Sequence, residues 1–411
     1  MVRVRSAAED PAPFDDGRVG IYLHLPFCER ICPYCDFAVA LAPTLESETE
    51  ARYVEALCME LAARRSDFGG RALASVYFGG GTPSLFQPES IHKLLEAIRQ
   101  AFPHSESTGE LETTLELNPS TVEQARLGGF RAAGINRLSI GVQSFDDLQL
   151  KRLGRAHRAA VARQTWIAAR AAGFDNLSID LIFAGPSQSR TDLDRDLDEL
   201  LRWEPEHVST YELTFEPETP FGRALAAGKM QACDEDRAAE MILQIESRLE
   251  AAGFERYEIS NYARPGAHSR HNARYWQRQA VLGLGMGAHS TEVRSPDHPH
   301  GARRANSRRL DEWLRKVEAS PGQAGVEETL SAATARGEAV FLALRQRSGL
   351  SARTFEAEFG GPPRDFFEAE IDAMRLRGWL AEGEPAAGDL RLTSAGRLMA
   401  DTVAVEFVSG D

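Results

Sequence analysis

Residues 22–37 read YLHLPFCERICPYCDF and carry three cysteines, Cys28, Cys32 and Cys35, at the spacing C-x-x-x-C-x-x-C. The run opens in a strand candidate, Val19–Leu25 (VGIYLHL), so the cysteines fall in the loop that leaves it. A loop with this spacing can curl to point three thiolates inward, and soft thiolates suit iron–sulfur clusters or zinc. Three thiolates on a cubane cluster leave one iron open to a substrate. The competing reading is a zinc knuckle with His24 as fourth ligand. It carries less weight, because His24 lies inside the strand candidate, where the pleat fixes its direction.

Working outward, five more strand candidates follow: Ser75–Phe78, Leu111–Leu117, Asn136–Val142, Leu177–Phe183 and His207–Leu213. Helical patterns lie between them near residues 47–66, 88–101, 121–133, 146–171 and 189–202. Repeated β-then-α order predicts a parallel sheet with right-handed crossovers, as in a complete or incomplete α/β barrel. Gly and Pro punctuate the strand ends as GGGTP, NPS, GVQS and AGP, and in such folds function gathers at the C-terminal ends of strands. A further helix is expected over 234–252, and VLGLGMGAHS is a glycine-rich apolar run. From about residue 335 three helix candidates (336–346, 351–359, 364–377) precede a hairpin-like GWLAEGEPAAGDLRLTSAGR, a winged-helix-like pattern. The expected boundary is SPGQAG, Ser320–Gly325.

With 411 residues, 43% hydrophobic and 26% charged, the composition excludes a disordered or fibrous chain. Lys and Arg total 47 against 61 Asp and Glu, a net charge of −14 that argues against nucleic-acid binding. Arg303, Arg304, Arg308 and Arg309 are a local exception, read first as a solvated patch and second as a seat for an anionic ligand. No stretch approaches the roughly 18 apolar residues of a membrane span. MVRVRSAAEDPAPFDDGR has no apolar h-region, so a cytoplasmic protein is expected. Five cysteines, three of them in one loop, fit a reducing compartment rather than a disulfide framework. Cys58 reads as a buried small hydrophobe and Cys233 as incidental. His157 stays unassigned, and His289 in GMGAHS is read equally as near a cofactor or as part of a turn.

The cysteine run followed by GGGTPS (Gly79–Ser84) resembles the radical S-adenosylmethionine (radical SAM) enzymes. YLHLPFCERICPYCDF narrows this to the group related to oxygen-independent coproporphyrinogen oxidase. The resemblance implies a radical SAM partial (β/α)6 barrel with a small, mostly helical, winged-helix-like C-terminal domain. Its segments would be a flexible tail (1–18), the barrel (19–250), an extension (251–325) and a HemN-like C-terminal domain (326–411). It implies a [4Fe–4S] cluster on Cys28, Cys32 and Cys35 whose open iron chelates SAM, which reductive cleavage turns into a 5′-deoxyadenosyl radical. By resemblance, Gly80, Gly81 and Thr82 meet the methionine end of SAM. Glu116, Gln143 and Asp180 suit the ribose hydroxyls and Arg155 the carboxylate. Tyr22 stands near the cluster and Thr214 beside the adenine. Read from the residues alone, the glycine run is a tight turn, and Glu116, Gln143, Arg155 and Asp180 are buried polar groups satisfied by the backbone.

Two departures matter. Coproporphyrinogen III dehydrogenases carry a further cysteine, C-x-x-x-C-x-x-C-x-C, where this chain has Phe37. His271-Asn272-Ala273-Arg274-Tyr275-Trp276 forms an HNxxYW motif. Both resemble the HemW subfamily of haem chaperones, which implies haem as ligand, His271 as its candidate iron ligand, and haem-accepting proteins as partners. An electron donor for the cluster, a homodimer and peripheral membrane association are implied with it. On the hexapeptide alone, a structural histidine is the simpler reading. No catalytic residue is assigned. The alternatives are an oxygen-independent coproporphyrinogen III oxidase and a zinc-stabilised binding module.

Overall fold

The computed structural model describes residues 14–104, 109–381 and 388–408. Its frame is a run of strands: β1 (Arg18–Leu25), β2 (Ala72–Gly80), β3 (Glu112–Leu117), β4 (Arg137–Gln143), β5 (Leu177–Phe183) and β6 (His207–Glu212). Then come β7 (Glu255–Arg256), β8 (Asn261–Ala263), β9 (Val281–Leu284), β10 (His289–Glu292), β11 (Ala302–Asn306) and β12 (Gly325–Thr329). They form one sheet in the order β12-β11-β10-β9-β1-β2-β3-β4-β5-β6-β8-β7. All neighbours from β9 through β6 are parallel, and both flanks are antiparallel. The expected six-strand β/α series is therefore the centre of a wider sheet. In β1 the apolar residues alternate, and Val19, Ile21, Leu23 and Leu25 on one face are at most 1% exposed.

Helices α1 (Ser47–Arg64), α2 (Pro88–Ala101), α3 (Thr121–Ala133), α4 (Asp147–Arg152), α5 (Ala159–Ala171) and α6 (Arg190–Arg202) make the crossovers. Sequence punctuation sets their ends. Pro88 opens α2, whose Ile91, Leu94, Leu95 and Ile98 form the buried stripe. Ser120 caps α3, and Gly134 closes it at φ 108°. Ser189 and Asp192 make a reciprocal capping box on α6. The single helix expected over 146–171 is broken between α4 and α5. Gly154 sits at φ +70° in the break, and a Cβ there would stand 2.5 Å from Pro33 Cδ. The cysteine loop packs on that glycine, so the helix must stop.

The strands of residues 251–325 widen the sheet at both ends. β12 carries the sheet to Thr329, past the expected boundary, because it pairs with β11 from Ala302↔Thr329 to Asn306↔Gly325. A second core follows, built from helices such as Ala332–Leu344, Ala352–Phe359 and Arg364–Leu376 around Val340, Phe355, Ile371 and Phe407. Of the hairpin, residues 382–387 lie outside the described residues. The rest makes only isolated bridges, Leu380↔Leu392 and Leu350↔Leu390. Of the tail expected over 1–18, residues 1–13 also lie outside the described residues. The remainder is docked: Phe14 is buried in the C-terminal core, and Asp15 and Asp16 pair with Arg71 and Arg274. Among the described residues no helix is long and apolar enough to cross a membrane.

Candidate functional site

The cysteine loop is tied down at its neck. Ala40 N–H donates to Pro26 O and Ala42 N–H to Cys28 O, each at 2.8 Å, making a two-residue ladder of Phe27–Cys28 with Ala40–Leu41. Cys28 is buried, Cys32 and Cys35 are half-buried, and none is in a disulfide. Thr82 Oγ1 reaches Cys28 Sγ at 3.6 Å, and Arg155 Nη1 reaches Cys32 Sγ at 3.5 Å. Burial pushes the Cys28 thiol up to about 11, with Cys35 and Cys32 adding to the effect. Among the described residues, the one group of three or more His, Cys, Asp or Glu with ligand atoms within 4.8 Å of one another is Glu292, His298 and Glu327. The three cysteine sulfurs therefore do not all lie within that distance of one another. His24 is no fourth ligand, because its Nε2 meets Ala38 O at 2.6 Å and its Nδ1 meets the Tyr22 hydroxyl at 3.0 Å.

The glycine loop leaves β2 beside this neck. Gly81 N–H donates to Leu25 O and Thr82 N–H to Phe27 O. A Cβ on Gly80 would lie 2.6 Å from the His24 ring, and one on Gly81 2.5 Å from Pro26 O. Close approach is thus required, and what approaches is the protein's own neck. Thr82 Oγ1 accepts from Asn118 Nδ2 at 2.7 Å, and Asn118 Oδ1 accepts from Arg155. Asn118, which joins Thr82 to Arg155, was not singled out in the sequence; its one signal was its place in NPS at the end of β3. Arg155 also donates to Gly141 O at 2.9 Å, while its buried Nε has no partner among the described residues. An unspent guanidinium donor fits a carboxylate. Cys32, Thr82, Asn118 and Arg155 line one cavity of about 260 Å³.

Tyr22, Gly80 and Glu116 line a second cavity, of about 360 Å³. Glu116 accepts from the Tyr77 hydroxyl at 2.8 Å and from Gly80 N–H at 3.1 Å. Burial, reinforced by Asp180, pushes its carboxyl up to about 7. β-sheet register sets Glu116 opposite Ser139, whose hydroxyl holds both Asp180 oxygens at 3.0 and 3.1 Å. The Ser139–Asp180 contact was not legible in the sequence, because only the pairing of β4 with β5 makes it. Gln143 ends β4 in left-handed backbone, φ 67°. It and Asp180 line neither of these two cavities, and Thr214 stands exposed beyond the end of β6.

His271 does not present a free imidazole. It is 1% exposed, with Nδ1 at 2.9 Å from Ser75 Oγ and Nε2 at 3.2 Å from the Tyr275 hydroxyl. Its ring stacks on Tyr77, centroids 5.1 Å apart. Burial pushes its pKa down to about 3. The helix Arg270–Trp276 is seated by Glu112, which accepts the N–H groups of Arg270 and His271. Arg274 completes the seat, with bonds to Asp16, Arg18 O and Ala280 O. As folded, the ring expected to ligate haem is committed to the protein. The arginine patch is likewise dispersed. Arg303 pairs with Glu338, Arg304 bonds Gly322 O, Arg309 pairs with Asp311, and Arg308 turns to Asp36.

Residues 22–200 match the radical SAM superfamily profile and residues 330–399 that of the HemN C-terminal domain. The heme chaperone HemW of Bacillus subtilis is 31% identical over 394 residues, 94% of this chain and 98% of that protein. HemW of Escherichia coli is 37% identical over 280 residues, 68% of this chain and 71% of that one. The mitochondrial radical S-adenosyl methionine domain-containing protein 1 of Bos taurus is 39% identical over 329 residues, 77% and 72% of the two chains. Coproporphyrinogen III oxidase (HemN) of Escherichia coli superposes with a TM-score of 0.80 at 21% identity, covering 98% of this chain and 92% of that one. That likeness is one of fold.

Proposed function

The chain belongs to the HemW family within the radical SAM superfamily, and from that premise we propose that it is a haem chaperone, binding haem and passing it to haem-requiring proteins. Cys28, Cys32 and Cys35 would hold a [4Fe–4S] cluster. Thr82, Asn118 and Arg155 would hold the amino-acid end of SAM, and Tyr22, Gly80 and Glu116 the wall beyond it. When bound, the cluster supplies an open iron that chelates SAM and an electron from an external donor. The residues of the chain orient and enclose that pair: Arg155 offers charge-assisted donors, Thr82 bonds the Cys28 sulfur, and the glycines keep the neck closed. No residue is given a turnover role. A cytoplasmic location, a homodimer and peripheral membrane contact accompany this reading, and nucleic acid is not a partner of so acidic a chain.

The observation that carries the reading is Phe37. It stands where a coproporphyrinogen dehydrogenase has a further cysteine, and it is 69% exposed at the rim of the cysteine loop. The test is a haem titration of anaerobically cluster-reconstituted protein, followed by Soret absorbance and then by transfer to an apo-haem protein. Saturation near one haem per chain with transfer supports the chaperone. Absence of saturation overturns it, and decarboxylation of coproporphyrinogen III by the same sample with SAM and a reductant would establish the oxidase. Zinc without acid-labile sulfide would mark the binding module.

A further inference from the structure

The second cavity has a wall the function above does not use. Besides Tyr22 and Glu116 it is lined by Phe37, Tyr275, His289 and Arg308. His289 opens β10 just after the glycine-rich run. That run is bent onto the cysteine loop. Gly285, φ +100°, would place a Cβ 2.6 Å from His24 O, and Gly287, φ +68°, would place one 2.5 Å from Ala38 Cβ. The glycines therefore let the chain pass close to the neck, and His289 lines the cavity that Phe37 also lines.

The three histidines around this space differ in what remains free. Both nitrogens of His24 are engaged by Ala38 O and Tyr22, and both nitrogens of His271 by Ser75 and Tyr275. The His289 ring makes no hydrogen bond among the described residues, and its residue is exposed. A neutral imidazole with a bare nitrogen is an iron ligand in waiting. Arg308 bonds Asp36 O and stands 3.5 Å from Asp36 Oδ1, with a side chain 59% exposed. A guanidinium has five donors, so several remain for a carboxylate. Phe37 and Tyr275 supply aromatic surface in the same cavity.

Resting on the haem-chaperone reading, we propose that haem is taken in this cavity with His289 as axial ligand, Arg308 on a propionate and Phe37 against the porphyrin, while His271 stays a structural fixture. Iron(III) protoporphyrin IX is the probe. Cluster-reconstituted wild type, His289→Ala, His289→Met and His271→Ala are titrated, with iron, sulfide and melting temperature measured on each. The expected result is at least a tenfold higher Kd and a shifted Soret maximum for His289→Ala, restored by added imidazole. His289→Met, with a thioether ligand, should bind with its own Soret position, and each His289 variant should keep cluster content and melting temperature. Wild-type affinity and spectrum in His289→Ala overturn the proposal. Loss confined to His271→Ala overturns it too and leaves the chaperone standing. Failure of wild type to saturate overturns the chaperone reading itself.

Discussion

Arg274→Ala tests whether the HNARYW segment is built for the fold. The Arg274 guanidinium is 3% exposed and donates to Ala280 O (3.0 Å), Arg18 O (2.8 Å) and both Asp16 oxygens (3.0 and 3.1 Å). Gly20 exists beside it because a Cβ there would lie 2.8 Å from Arg274 Cδ. Removing the cation strands the Ala280 and Arg18 carbonyls and leaves Asp16, half-buried, with Arg18 as its remaining partner at 3.0 Å; losing hydrogen bonds from a charged group costs about 1.5–3 kcal/mol. With a urea slope of about 3 kcal/mol/M, the unfolding midpoint falls by about 0.5–1 M. Burial works against the Asp16 carboxylate, but the hydrogen bonds and charge of Arg274 hold its pKa below the ordinary value. A depressed carboxyl contributes stability above its unfolded pKa, about 3.9, and loses it as pH falls through the folded value. The gap between wild type and Arg274→Ala should be flat down to about pH 4 and narrow below it. The assay is urea unfolding by tryptophan fluorescence at several pH values. A midpoint loss worth under about 1 kcal/mol, the size of an ordinary substitution, would refute the reasoning.

Alanine at Cys28, Cys32 or Cys35 should abolish bound iron and acid-labile sulfide, whereas Cys58→Ala and Cys233→Ala should keep both; metal and sulfide analysis decides. Asn118→Ala frees Thr82 and Arg155 from their shared partner, and Arg155→Lys removes the fork. Loss of a charge-assisted bond worth about 1.5–3 kcal/mol predicts SAM binding weaker by roughly tenfold to a hundredfold, read by calorimetry on protein with intact clusters. Burial pushes Glu116 up to about 7, so the cofactor-free fold holds a proton that the unfolded chain releases near its ordinary pKa. Stability should therefore decline as pH rises through that window, and Glu116→Gln should flatten the decline in melting temperature. Glu60, also pushed up to about 7, still titrates in both proteins, so flattening is partial.

The six central strands were legible as short β-rich runs alternating with helical patterns, several of them closed by Gly or Pro. The break between α4 and α5 was not legible. It depends on Pro33 lying against Gly154, a contact between distant parts of the chain. β12 was not legible either, since nothing local to GVEET announces a partner in Ala302–Asn306.

For the site, the sequence by itself determined the donor chemistry. Three thiols at fixed spacing after a strand, a triple glycine after the next, and Phe37 in place of a further cysteine are all local facts, and a few residues of loop suffice to express them. Tertiary structure decided which groups are spent. Asn118 became a hub and Ser139 a clamp on Asp180 only through strand pairing. His271, the histidine that the motif singles out, had both nitrogens taken, while His289 in a glycine run kept its ring free. Spacing along the chain states what a side chain offers. Whether the offer is still open depends on partners brought in by long-range packing, where a buried polar group must find one.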